Sequence, residues 1–322
     1  MDRHRPRGRR ARAPRHSPLR SVAVAVAVLV GVTGAGTVFV QAHAHDREGL
    51  VSSSAAASAL PSASPSVSEE ASVEPVAEPS ADRDALLAKA MAAVAVPDGA
   101  RVSVAVLDVG SGESAGQGEG TFDTASIVKV DILAALLLRA QDADRHLTAQ
   151  EKAYATAMIE HSDNASASAL WAAIGGASGL DAANKRFGLT GTRGGDGDLW
   201  GLTRTTAADQ LTLLRQVFGE DSELSEASRG YLQGLMGSIA AGQRWGVSAA
   251  ADGNRWALKN GWLPRTATGL WDVNSIGRVT VDGHDYLVAA LSDGNSTQAD
   301  GISLVEAASK AAVGAFRDSA EE

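Results

Sequence analysis

Apolar positions change their period several times along the chain, and the changes divide it into elements. Ile127, Val128, Val130, Ile132, Leu133, Leu136, Leu137 and Leu138 would cover every side of one helix. A helix apolar all round is the buried central helix of a domain. Upstream, residues 82–94 show helical spacing and stop at Pro97-Asp98-Gly99. Residues 101–109 alternate, placing Val102, Val104 and Val106 on one face of a strand. Gly110-Ser111-Gly112 then reads as a hairpin turn into a short polar strand near 113–117.

After the central run the period stays helical over residues 148–160, 165–174, 181–187, 205–218 and 225–241. His161-Ser162-Asp163-Asn164, Gly175-Gly176 and a Gly/Asp-rich loop over 191–201 separate these pieces. Residues 256–261, 271–281 and 285–291 read as consecutive strands, the last two joined by Asp282-Gly283. An amphipathic helix over 299–316 closes the order. The pattern predicts an α+β fold: an antiparallel sheet built from both ends of the domain, flanked by helices, with an all-helical subdomain inserted.

The first 81 residues have no such periods. Residues 3–20 are arginine-rich, and 22–40 follow without a charge. Basic first and apolar next is the layout of an export signal, long enough here to serve as a membrane anchor. Ala42-His43-Ala44 would also suit a signal peptidase, so residues 1–45 read as an anchor or a cleaved signal. Either way the rest of the chain is expected outside the cytoplasm, at the membrane or secreted. Residues 46–81, rich in Ser, Ala, Pro and Glu, read as a disordered linker. The globular domain is expected over 82–318.

Charge and composition narrow the chemistry. The 322 residues carry a formal −9, but residues 1–20 hold eight arginines and one aspartate. Without them 21 basic and 37 acidic residues remain, a formal −16. A body this acidic is unsuited to nucleic acid. Absence of cysteine excludes disulfides, thiolate metal sites and a cysteine nucleophile. Histidines are scattered or, like His43 and His45, lie in the leader, so no metal or other cofactor is expected. His161 reads as a partly buried loop residue.

Within the central run stands one lysine, Lys129, three residues after Ser126. Helical spacing puts the two on one face, and burial would lower the amine's pKa until it could act as a base toward the hydroxyl. Alone the pattern is weak, since a serine at a helix start is usually a cap. Two further strings add to it. Ser162-Asp163-Asn164 interrupts the helical block, and Lys259-Asn260-Gly261 ends a strand before Trp262. A serine–lysine pair needs a polar relay to the leaving group, which Ser162 could supply. It needs a cation for an anionic substrate, which Lys259 could supply, and a strand edge to bind the oxyanion. Glycine at 261 would let a backbone approach that edge.

The three strings together resemble the Ser-x-x-Lys, Ser-Asp-Asn and Lys-Thr-Gly set of class A β-lactamases and penicillin-binding proteins. The resemblance spans roughly 82–318. It implies that Ser126 is the acylated nucleophile, Lys129 its base, and Ser162 the proton donor to the leaving nitrogen. Asn164 would bind a substrate amide and Lys259 its carboxylate, with Asn260 and Gly261 beside it. Backbone N–H groups of Ser126 and Trp262 would form the oxyanion hole. The implied partner is a β-lactam or peptidoglycan-derived small molecule, bound by a monomer.

Departures from the family pattern matter as much. Asn260 stands where the family has threonine or serine, and the stretch from Ser126 to Ser162 is short, implying a more open site. No Glu-x-x-Leu-Asn follows Ser162. Residues 191–205 offer only Asp196 and Asp198, which read as solvated turn residues. Without a base for water, an acyl-enzyme forms and hydrolyses slowly. Three functions are therefore expected in turn: a β-lactam-acylated hydrolase, a D,D-peptidase-like wall enzyme, or a non-catalytic wall protein. Gly112-Glu-Ser114-Ala-Gly116 also matches a nucleophile elbow, but no helix follows, and a hairpin is the better reading. Arg278 reads as an exposed or sheet-edge arginine and is not counted as a site residue.

Overall fold

The computed structural model describes Met1 and residues 82–317. The expected anchor or signal (1–45) and linker (46–81) lie outside the described residues. Among the described residues no helix is long and apolar enough to cross a membrane.

Asp82 caps the first helix, α1 (Arg83–Met91), by accepting from Ala85 N. Strands β1 (Arg101–Asp108) and β2 (Ser114–Gln117) pair antiparallel around the expected turn. Ser114, the elbow candidate, sits exposed on edge strand β2 with no helix after it. The long strands β5 (Trp256–Pro264), β6 (Trp271–Val281) and β7 (His284–Asn295) complete a five-stranded sheet in the order β2-β1-β7-β6-β5. The β1–β7 pair is antiparallel, so the two ends of the domain meet in mid-sheet, as the sequence predicts. Strand period then sorts the core. Val104, Val106, Val288 and Ala290 face one way, against α1 and the closing helix α8 (Gln298–Arg317). Ala105, Leu107, Leu287 and Ala289 face the other way, toward the helical block.

That block is centred on α2 (Val128–Asp142), of whose fifteen residues twelve are buried. Around it lie α3 (Ala149–Glu160), α4 (Asn164–Ile174), α5 (Gly176–Phe187), α6 (Ala207–Phe218) and α7 (Glu226–Gly237). Thr148 and Glu151 form a reciprocal capping box at α3. Helix α5 starts five residues earlier than its expected start at 181. Gly175 ends α4 in the left-handed region (φ 96°), and Gly176 restarts the helix at once. Two short strands have no sequence signal: β3 (Phe122–Asp123) and β4 (Arg204–Thr205) pair with each other. Their pairing ties the segment before α2 to the Gly/Asp loop.

Candidate active site

Ser126 lies in a turn of 3₁₀ helix, Ala125–Ile127, immediately ahead of α2 rather than within it. Ala125 there has φ 48°, a left-handed conformation that costs a non-glycine residue about 1–3 kcal/mol. The turn is held by Thr124 N donating to Thr203 O (2.8 Å) and by Asn274 Nδ2 donating to Asp123 O (2.9 Å) and Thr124 O (3.1 Å). From the other side β5 presses against it. A Cβ on Gly261 would fall 2.6 Å from Ser126 N and 2.8 Å from Ile127 N, so only glycine fits this approach.

Lys129 is the second residue of α2, and its side chain is fully buried. Nζ donates to Ser162 O (2.7 Å), Ser162 Oγ (3.0 Å) and Asn164 Oδ1 (2.8 Å). Burial lowers its pKa to about 7, opposed by the nearby Asp163 carboxylate. Ser162 is positioned by the break between α3 and α4. It has φ 56°, while Asp163 beyond it caps α4 by accepting from Ser166 N (2.7 Å). Ala125 and Ser162 are two of the four described non-glycine residues with positive φ, one next to Ser126 and the other bonded to Lys129.

Lys259 reaches the same hydroxyl from β5. Its Nζ donates to Ser162 Oγ (3.1 Å), Gln243 Oε1 (3.3 Å) and Asn260 O (2.8 Å). Burial, and then the Lys129 charge, hold this amine well below the usual lysine range. Asn260 is fully buried and turns inward: Nδ2 donates to Gln243 O (2.7 Å) and Trp245 O (2.9 Å). The three motifs thus meet around one oxygen, Ser162 Oγ. Among the described residues no hydrogen bond joins the Ser126 hydroxyl to Lys129.

Ser126 opens onto a cleft of about 380 Å³, also lined by Asn164, Asp198, Leu199, Trp200 and Trp262. Lys259, Asn260 and Gly261 are not in that lining. Sequence reasoning missed Trp200, whose ring lies 4.9 Å from Lys129 Nζ. The indole thus lies over the amine that Ser162 and Asn164 also contact, and Trp200 Nε1 donates to Ser168 Oγ (3.1 Å). Gln243 was missed as well, because it approaches Lys259 from a loop without period. Asp198 is exposed at the cleft rim. His161 is exposed rather than partly buried, and Arg278 lies over Phe218 beside Asp285, committed elsewhere. No group of three His, Asp or Glu able to hold a metal occurs among the described residues. A larger cavity, about 490 Å³ between α2 and α7, lies away from all these groups.

A family model described as the β-lactamase enzyme family matches residues 148–316, more than half of the chain. The match contains Ser162 and Lys259 but begins after Ser126. Solved structures extend the fold likeness to about 73% of the chain. PBP-A is 21% identical, with 73% of this chain and 96% of that chain covered and a TM-score of 0.62. A PBP-A mutant in an acyl-enzyme complex with penicillin G is 20% identical, covering 73% and 97%, with a TM-score of 0.61. A class A β-lactamase representative from Bacteroides cellulosilyticus is 16% identical, covering 73% and 99%, with a TM-score of 0.62. No curated protein matches the sequence.

Proposed function

The chain belongs to the β-lactamase enzyme family, and on that premise we propose that it is an extracytoplasmic serine hydrolase, acylated at Ser126 by β-lactams or cell-wall peptides and slow to release the acyl group. The observation that carries this reading is Ser162 Oγ, held at 3.0 Å from Lys129 Nζ and 3.1 Å from Lys259 Nζ. A hydroxyl between two buried amines is a proton path, because each amine can exchange the role of donor and acceptor as its charge changes.

In the proposed reaction Lys129, neutral through burial, takes the Ser126 hydroxyl proton as the oxygen attacks the acyl carbon. Backbone N–H groups of Ser126 and Trp262 bind the oxyanion. The C–N bond then breaks, Ser162 gives its proton to the leaving nitrogen, and protonated Lys129 restores it. One proton has passed from Ser126 to the product. Lys259 keeps the relay oxygen polarised, and Asn164 binds a substrate amide. Release needs a base for water. Trp200 lies over Lys129, and among the described residues no hydrogen bond aims the exposed Asp198 carboxylate.

Incubation with penicillin G followed by mass spectrometry tests the proposal. We expect a long-lived adduct on Ser126, little nitrocefin turnover, and no adduct in Ser126→Ala. A folded protein that never acquires the adduct would refute acylation. The indole over Lys129 also favours a second reading, a D,D-peptidase-like enzyme whose acyl group passes to an amine. Transfer of the bound acyl group to added D-amino acids would distinguish it.

A further inference from the structure

Two buried amines flank Ser162 Oγ, and their other partners decide which of them carries charge. Lys129 Nζ donates to two carbonyl oxygens, Ser162 O (2.7 Å) and Asn164 Oδ1 (2.8 Å). Lys259 Nζ does the same with Asn260 O (2.8 Å) and Gln243 Oε1 (3.3 Å). Each amine therefore has two fixed acceptors, and its third position is left for Ser162 Oγ. A neutral amine turns a lone pair there and receives the hydroxyl proton, whereas an ammonium donates there instead. A hydroxyl has one proton to give, so the arrangement is satisfied when one amine is charged and the other is neutral.

The two amines have unequal surroundings. Around Lys129 the Asp163 carboxylate and the Trp200 ring favour charge. Around Lys259 the one charged group that acts on it is Lys129 itself, which disfavours charge. Other charged groups near the segment are engaged elsewhere or stand at the rim. Arg244, next in sequence to Gln243, lies over Trp256, Glu306 of α8 accepts from Gly246 N (3.3 Å), and Asp198 is exposed in the cleft lining. Besides the shared hydroxyl, Gln243 Oε1 is thus the side-chain acceptor that steadies charge on Lys259. Asn260 aims it. Its Nδ2 donates to Gln243 O (2.7 Å) and Trp245 O (2.9 Å), which pins the main chain on both sides of Arg244. A threonine or serine at 260 has one hydroxyl hydrogen and could not hold both carbonyls.

Resting on the acyl-serine reading above, we propose that Gln243, aimed by Asn260, is a positioning residue that draws the relay's proton toward Lys259 and so frees Lys129 to act as base. Its oxygen replaces part of the hydration that Lys259 loses on burial. Without that oxygen a proton shared across Ser162 Oγ stays on Lys129, where Asp163 and Trp200 favour it. Lys129 then becomes neutral only at higher pH, and attack by Ser126 waits for that change.

The test is the second-order rate constant for Ser126 adduct formation with penicillin G, read by mass spectrometry on the full chain across a pH series. This constant reports the titration of the free enzyme. In the unaltered chain it should rise through about 7. Gln243→Met keeps the side chain's length but removes its oxygen, so the midpoint should move up by about one pH unit. Gln243→Leu should shift it the same way. Gln243→Glu restores an oxygen toward Lys259 and should bring the midpoint back below both. A midpoint that stays or falls in the two apolar variants, or a rate that drops equally at every pH, overturns the role of Gln243 while leaving acylation standing. No adduct in the unaltered chain overturns the acyl-serine reading, and this proposal with it.

Discussion

Helix α2 buries an amine and a carboxyl two residues apart, and the two regions they enter are built in opposite ways. Lys129 Nζ has three hydrogen-bond partners and a ring above it, at the edge of a cleft. Asp131, 1% exposed, points into the block of helices. Its Oδ1 accepts weakly from Gln210 Nε2 (3.4 Å), while Asp131 Oδ2 and Gln210 Oε1 have no partner among the described residues. Gln210 continues to Thr205 Oγ1 (3.1 Å), Thr205 to Thr192 (2.8 Å), and Thr192 to Asp209 Oδ2 (2.6 Å). Burial shifts both groups toward neutrality, to about 7 each, from opposite ends of the scale. On one face of the helix a base that burial pushes toward neutrality is held beside a substrate space. On the opposite face an acid is pushed toward its protonated form with nothing to react with. Perturbation alone therefore does not mark a catalytic group; the cleft does.

Removing the amine should have the largest effect. Lys129→Met should slow Ser126 acylation by roughly 10²–10⁴-fold, the scale of a lost general base. In the unaltered chain only the neutral amine can accept the proton, so acylation should rise with pH through about 7 and then level. The variant should show no such rise. A pH series of adduct-formation rates checks both, and a retained step near pH 7 in Lys129→Met would assign the base elsewhere.

Removing the carboxyl should change stability instead. The folded state binds the Asp131 proton up to about pH 7, whereas an unfolded aspartate releases it near 4. Stability from this group is present at low pH and lost as pH rises from about 4 to about 7. The loss is on the order of 4 kcal/mol for a shift of about three pK units. Asp131→Asn carries no charge to bury and offers Gln210 Oε1 a donor. Urea unfolding should find the variant more stable by roughly that amount at pH 8 and nearly equal to the parent at pH 4. Equal stability at both pH values would mean that Asp131 is solvated.

Trp200 tests the boundary between the two regions with the smallest effect. Its cation–π attraction favours charged Lys129 by about 1 kcal/mol, but the burial it helps to maintain disfavours that charge more strongly. Desolvation dominates, so Trp200→Ala should admit water and raise the apparent pKa of acylation by about one unit. A fall in that pKa would show that the ring acts mainly through its attraction.

Much of this was legible in the sequence because it is periodic or local. The unbroken apolar run specified α2, and alternation over residues 101–109 and 271–291 specified strands that lie in one sheet. Ser126, Lys129, Ser162 and Lys259 were singled out by short-range spacing and by the oddity of lysine in an apolar helix. What escaped comes from contacts between distant segments. Trp200 and Gln243 reach the lysines from loops whose composition carries no direction. The burial of Asp131 comes from Gln210 of α6, which no local period links to it. The 3₁₀ turn at Ser126 depends on Asn274 and Thr203, more than seventy residues away in sequence.

The closeness of Gly261 to the nucleophile's turn restricts how this cleft can diversify. Behind the cleft, β5 meets the serine's turn main chain against main chain, and any added atom there displaces the reactive serine. The cleft lining itself includes side chains, Leu199 and Trp200 among them, that lie outside that contact. Descendants of this chain can therefore gain or lose turnover chiefly by rewriting one loop, while the strand stays fixed under selection.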